Sequence, residues 1–526
     1  MTSRTGRFFA WFSILVILLP ILAGCATVQN IVQRGGGVLR VAGDSPQTLD
    51  PALAEDSTTW SYLIQIYSGL VRLDDKLQIQ PDLASSWQIS PDGKTYTFHL
   101  RPGIRFASGK PITASDVEYS IDRALDPATH SPVAALYLGD ILGATDRLAG
   151  KSTSVPGVKV IDAQTLQITL DAPKSYFLAK LTYPTAFVVD RTNVASGPTW
   201  WKNPDGSGPF RLKSWSANNS LVLARNDNYY GTKPLISEID FYLGPNAPLG
   251  LYQSGQLDVV PVGVGDVPRV TDPAGPFHSQ LQVVPELSFW YLGFNVKTKP
   301  FDDPKVREAF AYATDKNLLV NGIFHGSRTV ADQLLPPGMP GYDPSVTGVP
   351  YDPQRARQLL SESSYKSASA LPPIQFGVDR GEGDLAERIA QMYRTNLGVQ
   401  VSVTVFDNAF SSQVHSEGPG MYMLGWVADY PDPQDFLDIL FGPNSEDNYS
   451  NYQDPKVTTL LRAASAETNS QRRIADYQQA QRQILADTPA IPLFYDTQYV
   501  LVRPGVSGLT ITPLGILSYA NVQVRG

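Results

Sequence analysis

Asp429 follows the apolar run Met421–Val427 and precedes Pro431 and Pro433, which have no backbone N–H with which to carry a sheet ladder onward. A carboxylate held at a strand end either receives a cation or caps neighbouring N–H groups. Trp426 and Gly425 lie just before it; the indole suits a binding wall or a core, and glycine permits close backbone approach. Arg380 stands just beyond the run Ile374–Val378, where its planar guanidinium suits carboxylate capture and a solvated loop position suits it equally. Glu55, Asp56 and Ser57 gather polar groups ahead of a helical stretch from about Thr59, for which Ser57 or Thr58 would serve as N-cap. Other chemistries leave little trace. His99, His130, His278, His325 and His415 are isolated, so no metal site is expected. Gly263-Val264-Gly265 is followed by Pro268 where a dinucleotide fingerprint needs glycine, and neither a Walker A pattern nor a Gly-x-Ser-x-Gly elbow occurs. Paired glycosidase-type carboxylates have no local signature; otherwise nothing points to an enzyme or to a cofactor.

The elements that must position these residues are a mixture of strands and helices. Strand-like runs fall at Val38–Ala42, Tyr96–Leu100, Leu166–Leu170, Leu221–Ala224 and Ile239–Tyr242, then at Tyr291–Asn295, Ile374–Val378, Val399–Val405, Met421–Val427 and Ile491–Tyr495. Helical patterns lie between them, which predicts α/β layers. Three helix starts are legible: Asp303-Pro304, Asp352-Pro353 and Asp454-Pro455 each put a capping carboxylate before a proline whose missing N–H costs nothing there. Val306, Phe310 and Ala313 share one helical face, as do Val457, Leu460, Leu461 and Ala464. A further helix from about Asp384 to Leu397 makes 374–405 a strand–helix–strand unit of a parallel sheet.

The chain is 526 residues long, enough for about three domains at roughly 150 residues each. With 42% apolar and 17% charged residues it has the composition of a globular protein. A formal charge of −8 gives no basic surface for phosphates, so nucleic acid is not an expected partner. Cys25 is the sole cysteine, which rules out an intrachain disulfide.

Residues 1–24 read as an export signal. Arg4 and Arg7 precede an apolar stretch from Phe8 to Leu22, interrupted by Pro20 and short of the roughly 20 residues a spanning helix needs. Leu22-Ala23-Gly24-Cys25 resembles a bacterial lipobox, whose thiol takes a diacylglyceryl group. That predicts a lipid anchor at Cys25 and, because one acyl chain binds only marginally, more than one chain on the mature N-terminus. Residues 25–36 then form a tether.

Read in order, several segments resemble the extracytoplasmic solute-binding proteins of family 5, the oligopeptide- and dipeptide-binding proteins of ABC importers. They begin with Thr48-Leu49-Asp50-Pro51, Ile66-Tyr67-Ser68-Gly69-Leu70-Val71 and Leu83-Ala84-Ser85-Ser86-Trp87. Ser90-Pro91-Asp92-Gly93 follows, then Gly109-Lys110-Pro111-Ile112-Thr113-Ala114-Ser115-Asp116-Val117 with Arg123 just beyond. Later come Phe294-Asn295, Pro300-Phe301-Asp302-Asp303 and, most distinctively, Gly425-Trp426-Val427-Ala428-Asp429-Tyr430-Pro431-Asp432-Pro433. Ser68 departs from the acidic residue that many members carry.

The resemblance implies a two-lobed periplasmic binding protein type II-like fold of three domains. The first lobe would span 37–288 and be completed by about 499–526; the second would span 289–498, with crossing segments near 287–294 and 494–500 as the hinge. Ligand would be enclosed between the lobes. Asp429 would receive a peptide ammonium, Trp426 and Gly425 would line that wall, Arg380 would take the ligand carboxylate, and Glu55, Asp56 and Ser57 would pair with the peptide backbone. A permease pair with ATPase subunits would be the partner, the chain would be a monomer, and it would sit outside the cytoplasmic membrane on its lipid anchor. A nickel complex, an oligosaccharide, an opine or haem are the family's other ligand types; a surface hydrolase or a sensory lipoprotein are readings from other classes.

Overall fold

The structure, a computed structural model, describes residues 37–245, 247–406 and 418–525. The signal, Cys25 and the tether lie outside the described residues. Mixed α/β content surrounds three main sheets, as the sequence pattern predicts. A seven-stranded sheet runs in the order Leu281–Pro285, Thr497–Val502, Val259–Pro261, Val38–Ala42, Glu238–Tyr242, Ser220–Arg225, Phe210–Ser216. A six-stranded sheet runs Thr329–Val330, Ala490–Tyr495, Ser288–Phe294, Met421–Val427, Ile374–Asp379, Val401–Phe406. A four-stranded antiparallel sheet, Ala84–Ile89, Thr95–Leu100, Thr165–Thr169 and Val158–Asp162, forms a third domain.

Membership of the first two sheets defines where the chain crosses between bodies. It leaves the seven-stranded sheet after Pro285, enters the six-stranded sheet at Ser288, leaves that after Tyr495 and re-enters the first at Thr497. Residues 288–294 and 497–500, which the sequence placed among the hinge segments, are strands within the sheets. The crossings are Glu286–Leu287 and Asp496, tied together by the Glu286 N–H donating to the Asp496 carbonyl at 3.0 Å. With two adjacent crossings so short, the lobes can rotate about one line without unfolding either sheet.

Local chemistry forms the elements as the residue types dictate. Asp303 accepts from the Lys305 N–H at 2.9 Å, Asp352 from Gln354 and Arg355 at 3.0 and 2.9 Å, and Asp454 from Val457 at 2.8 Å. Each opens a helix with proline at its start, as predicted. Val306, Phe310 and Ala313 are buried together, and so are Val457, Leu461 and Ala464; Leu460 packs at the margin of the same core. The 374–406 unit is strand, helix Gly383–Leu397 and parallel strand, with Ile374 opposite Val401. Two of the sequence's most distinctive segments meet in the first lobe: Arg123 grips Asp50 with both guanidinium nitrogens, Nη1–Oδ1 at 2.9 Å and Nη2–Oδ2 at 2.5 Å, and Asp50 is 2% exposed. These motif residues hold the fold rather than face a ligand.

Candidate functional site

The strand Met421–Val427 pairs antiparallel with Ser288–Phe294 in the register Gly425–Trp290, Trp426–Phe289, Val427–Ser288. The ladder stops at Ala428, whose N–H reaches the Leu287 carbonyl at 2.8 Å. Pro431 and Pro433 then turn the chain into the helix Gln434–Phe441. Asp435, in the first turn of that helix, accepts the Asp429 backbone N–H at 2.9 Å and the Trp426 indole N–H at 3.4 Å. The turn therefore fixes the Asp429 backbone and leaves its carboxylate pointing away from its own lobe. A Cβ on Gly425 would lie 2.8 Å from the Trp290 ring, so the close approach that glycine permits is to a side chain of the neighbouring strand.

The carboxylate crosses to the first lobe, where Asp429 Oδ2 accepts from the Tyr137 hydroxyl at 2.5 Å. Tyr137 stacks on Tyr183 with centroids 3.8 Å apart and planes 9° apart, and Tyr183 in turn lies 5.6 Å from Trp60. Three aromatic rings thus back the one hydroxyl that meets Asp429. Other contacts also join the lobes. The Ser175 N–H donates to the Ser465 carbonyl at 3.2 Å, and Tyr430, fully buried, joins the core of the four-stranded domain. The lobes are closed on each other.

Between them lies a cavity of about 1140 Å³. Glu55, Ser57, Trp60, Tyr137 and Lys180 line it from the first lobe; Gly425, Trp426, Asp429 and Asp438 line it from the second. Burial pushes the Asp429 carboxyl up from 3.8 to about 7, with nearby Asp447 adding to the rise and the Tyr137 hydrogen bond opposing it. Burial raises Asp438 to about 7 as well, and Asp435, fully buried beside Asp429, is held well above the usual carboxylate range. Burial makes ionising these groups costly, and a cationic guest beside Asp429 or Asp438 would relieve that cost.

Of the residues singled out from the sequence, the cavity brings together Asp429, Trp426, Gly425, Glu55 and Ser57. Asp56 plays a different part. Its Oδ1 accepts the Thr59 N–H at 2.8 Å and caps the helix Ser57–Ile66, a place the sequence pattern offers to Ser57 or Thr58. Arg380 is exposed at the end of the strand Ile374–Asp379, its N–H bound to the Asp379 carboxylate at 2.7 Å, and it does not line the cavity. Sequence reasoning missed Tyr137, Tyr183, Trp60, Lys180 and Asp447, which reach the site only through long-range folding. Asp435 and Asp438 did leave a signal, a three-residue spacing after the Tyr-Pro turn that puts both carboxylates on one face of a helix. Among the described residues no cluster of three or more His, Cys, Asp or Glu is placed to hold a metal ion, and no helix is long and apolar enough to cross a membrane.

A closed pair of α/β lobes, joined by two short crossings around a polar and aromatic cavity, defines a solute-binding protein of the two-lobed kind. Residues 78–448 match the bacterial extracellular solute-binding proteins, family 5 Middle, and the chain belongs to that family. It is 30% identical over 484 residues, 89% of each chain, to the probable deoxycholate-binding periplasmic protein YgiS of Escherichia coli. It is 28% identical over 497 residues, 91% of each chain, to the oligopeptide-binding protein OppA of Bacillus subtilis. The solved structure of the Escherichia coli murein tripeptide binding protein MppA superposes with a TM-score of 0.81 at 26% identity, covering 94% of this chain and 99% of that one.

Proposed function

We propose that this chain is the peptide-capturing component of an ABC importer. Its two lobes, meeting at the crossings Glu286–Leu287 and Asp496, close on a peptide and present it to a membrane permease driven by ATPase subunits. The observation that carries the reading is Asp429, a carboxylate held by its own turn at the wall of an interlobe cavity and shared with a tyrosine hydroxyl of the other lobe. A peptide ammonium entering there replaces a costly lone charge by a charge-assisted hydrogen bond. The Glu55–Ser57 segment on the opposite wall supports main-chain pairing with an extended guest, which recognises peptides regardless of their side chains. Cavity size points the same way: about 1140 Å³ exceeds the roughly 300–1,000 Å³ typical of small-molecule sites. No step of this function requires catalysis. The sequence at Cys25 supports a lipid anchor, and hence a chain tethered outside the cytoplasmic membrane.

Deoxycholate, the ligand in one relative's name, is an acid, and the wall it would meet here is carboxylate-rich. Carboxylate beside carboxylate in a partly desolvated cavity is unfavourable, which supports the peptide over the bile acid. Mass spectrometry of the small molecules that copurify with the chain, followed by calorimetric titration of the stripped protein, tests the assignment. Recovered peptides that rebind support it; recovery of a steroid acid, or failure of every peptide to bind, would refute it.

A further inference from the structure

The charges around the cavity are one-sided. Glu55, Asp140, Asp429, Asp438, Glu446 and Asp447 are its acids, and Lys180 is the one Lys or Arg among the described lining residues. Lys180 is already engaged: its Nζ donates to Asp140 Oδ2 at 2.7 Å and to the Leu136 carbonyl at 2.8 Å, and it lies 4.9 Å from the centre of the Tyr176 ring. Arg380 stands outside. The wall therefore offers carboxylates to a cation and no uncommitted lysine or arginine to an anion. Asp447 sits close enough to Asp429 to disfavour its ionisation, and it also faces Tyr449, whose hydroxyl donates to Asp447 Oδ1 at 3.0 Å. A second observation points to a guest in the same space. Trp60 lines the cavity, is 3% exposed, and its indole N–H has no hydrogen-bond partner, a donor suited to a guest carbonyl.

Resting on the peptide reading above, we infer that the cavity selects peptides whose first residue is basic, Asp429 receiving the α-ammonium and Asp447 the side-chain cation. Two neighbouring carboxylates on one cavity wall are both satisfied by a guest with two nearby positive groups. In a peptide, the side chain of the first residue is the group nearest the α-ammonium, and the flexible stem of a lysine lets its charge reach a second acceptor. An acidic first residue would place a third negative charge between them.

The test is calorimetric titration of the full chain, stripped of copurified ligand, at pH 7 and low salt. Four probes are used: Lys-Ala-Ala, Ala-Ala-Ala, Glu-Ala-Ala and 1,5-diaminopentane. The expected order is Lys-Ala-Ala about tenfold tighter than Ala-Ala-Ala, with Glu-Ala-Ala weakest, a tenfold step corresponding to one partly desolvated charge pair. In Asp447→Asn, the preference for Lys-Ala-Ala over Ala-Ala-Ala, both measured in that variant, is expected to shrink from about tenfold to less than about twofold. Asp447→Ser serves as second variant if the first does not fold. Equal affinity of native protein for Lys-Ala-Ala and Glu-Ala-Ala, or an undiminished lysine preference in the variant, overturns the inference. If the diamine binds and no peptide does, the paired-carboxylate reception stands and the peptide reading fails; if none of the four binds, both fail.

Discussion

Replacing Asp429 by Asn tests the site through its pH dependence as well as through affinity. The substitution keeps the shape and an acceptor for the Tyr137 hydroxyl but removes the charge that the ammonium would meet. Hydrogen bonds to charged groups contribute about 1.5–3 kcal/mol, so peptide affinity at pH 7.5 is expected to fall about tenfold to a hundredfold. Burial and Asp447 raise the Asp429 carboxyl to about 7, so binding an ammonium there requires loss of a proton below that pH. Native affinity should therefore weaken by roughly tenfold for each pH unit below 7, while above roughly 8 the peptide's own α-amino group loses its charge. Titration calorimetry from pH 5 to 9 should give a bell for the native chain and only the alkaline limb for Asp429→Asn. Stability without ligand moves in the opposite sense. Between 3.8 and about 7 the folded state holds a proton that the unfolded state has released, so the buried Asp429 lowers stability as pH rises through that window. Asp429→Asn removes that loss, and the unliganded variant should melt no lower than the native protein at pH 8, with its relative advantage vanishing near pH 4. An acid limb that survives in the variant, or a native profile flat below 7, would refute the reasoning.

Three further substitutions separate binding from scaffolding. Arg380→Ala lies outside the cavity lining and should change the affinity for free-carboxylate and amidated peptides alike by less than about twofold in calorimetry; selective loss of the free acids would put Arg380 back in the site. Gly425→Ala brings a Cβ to 2.8 Å from the Trp290 ring and should lower stability by about 1–3 kcal/mol in urea titration, because the ring must move within a packed sheet. Arg123→Ala leaves Asp50, 2% exposed, without its bidentate partner and should cost about 3–5 kcal/mol, read as a large drop in melting temperature with unchanged ligand preference in whatever remains folded.

Features that need only a few consecutive residues were legible in the sequence. The three Asp-Pro helix starts, the strand–helix–strand unit at 374–406 and the strand Met421–Val427 depend on capping, proline geometry and periodicity, which act over one or two turns of chain. The turn that presents Asp429 was legible for the same reason, since two prolines stop a ladder wherever they occur. Other positions stayed open in the sequence because two uses of one residue type look alike there. Asp56 caps the helix Ser57–Ile66 between two residues that line the cavity, and Arg380 ends a strand outside that lining. The crossings at 286–287 and 496 were legible only to within several residues, because residues 288–294 and 497–502 are strands whichever sheet takes them.

The sequence by itself determined most elements, the Asp-Pro caps, the membership of a binding-protein family and the turn that presents Asp429, all of them carried by local geometry or by an ordered set of short motifs. Only the tertiary structure decided what faces that carboxylate. Tyr137 lies 292 positions away along the chain, and Lys180 and Trp60 come from the other lobe altogether. The charge balance of a cavity depends on which side chains closure brings together, and that is set by the packing of two sheets about a pair of short crossings, which no stretch of consecutive residues encodes.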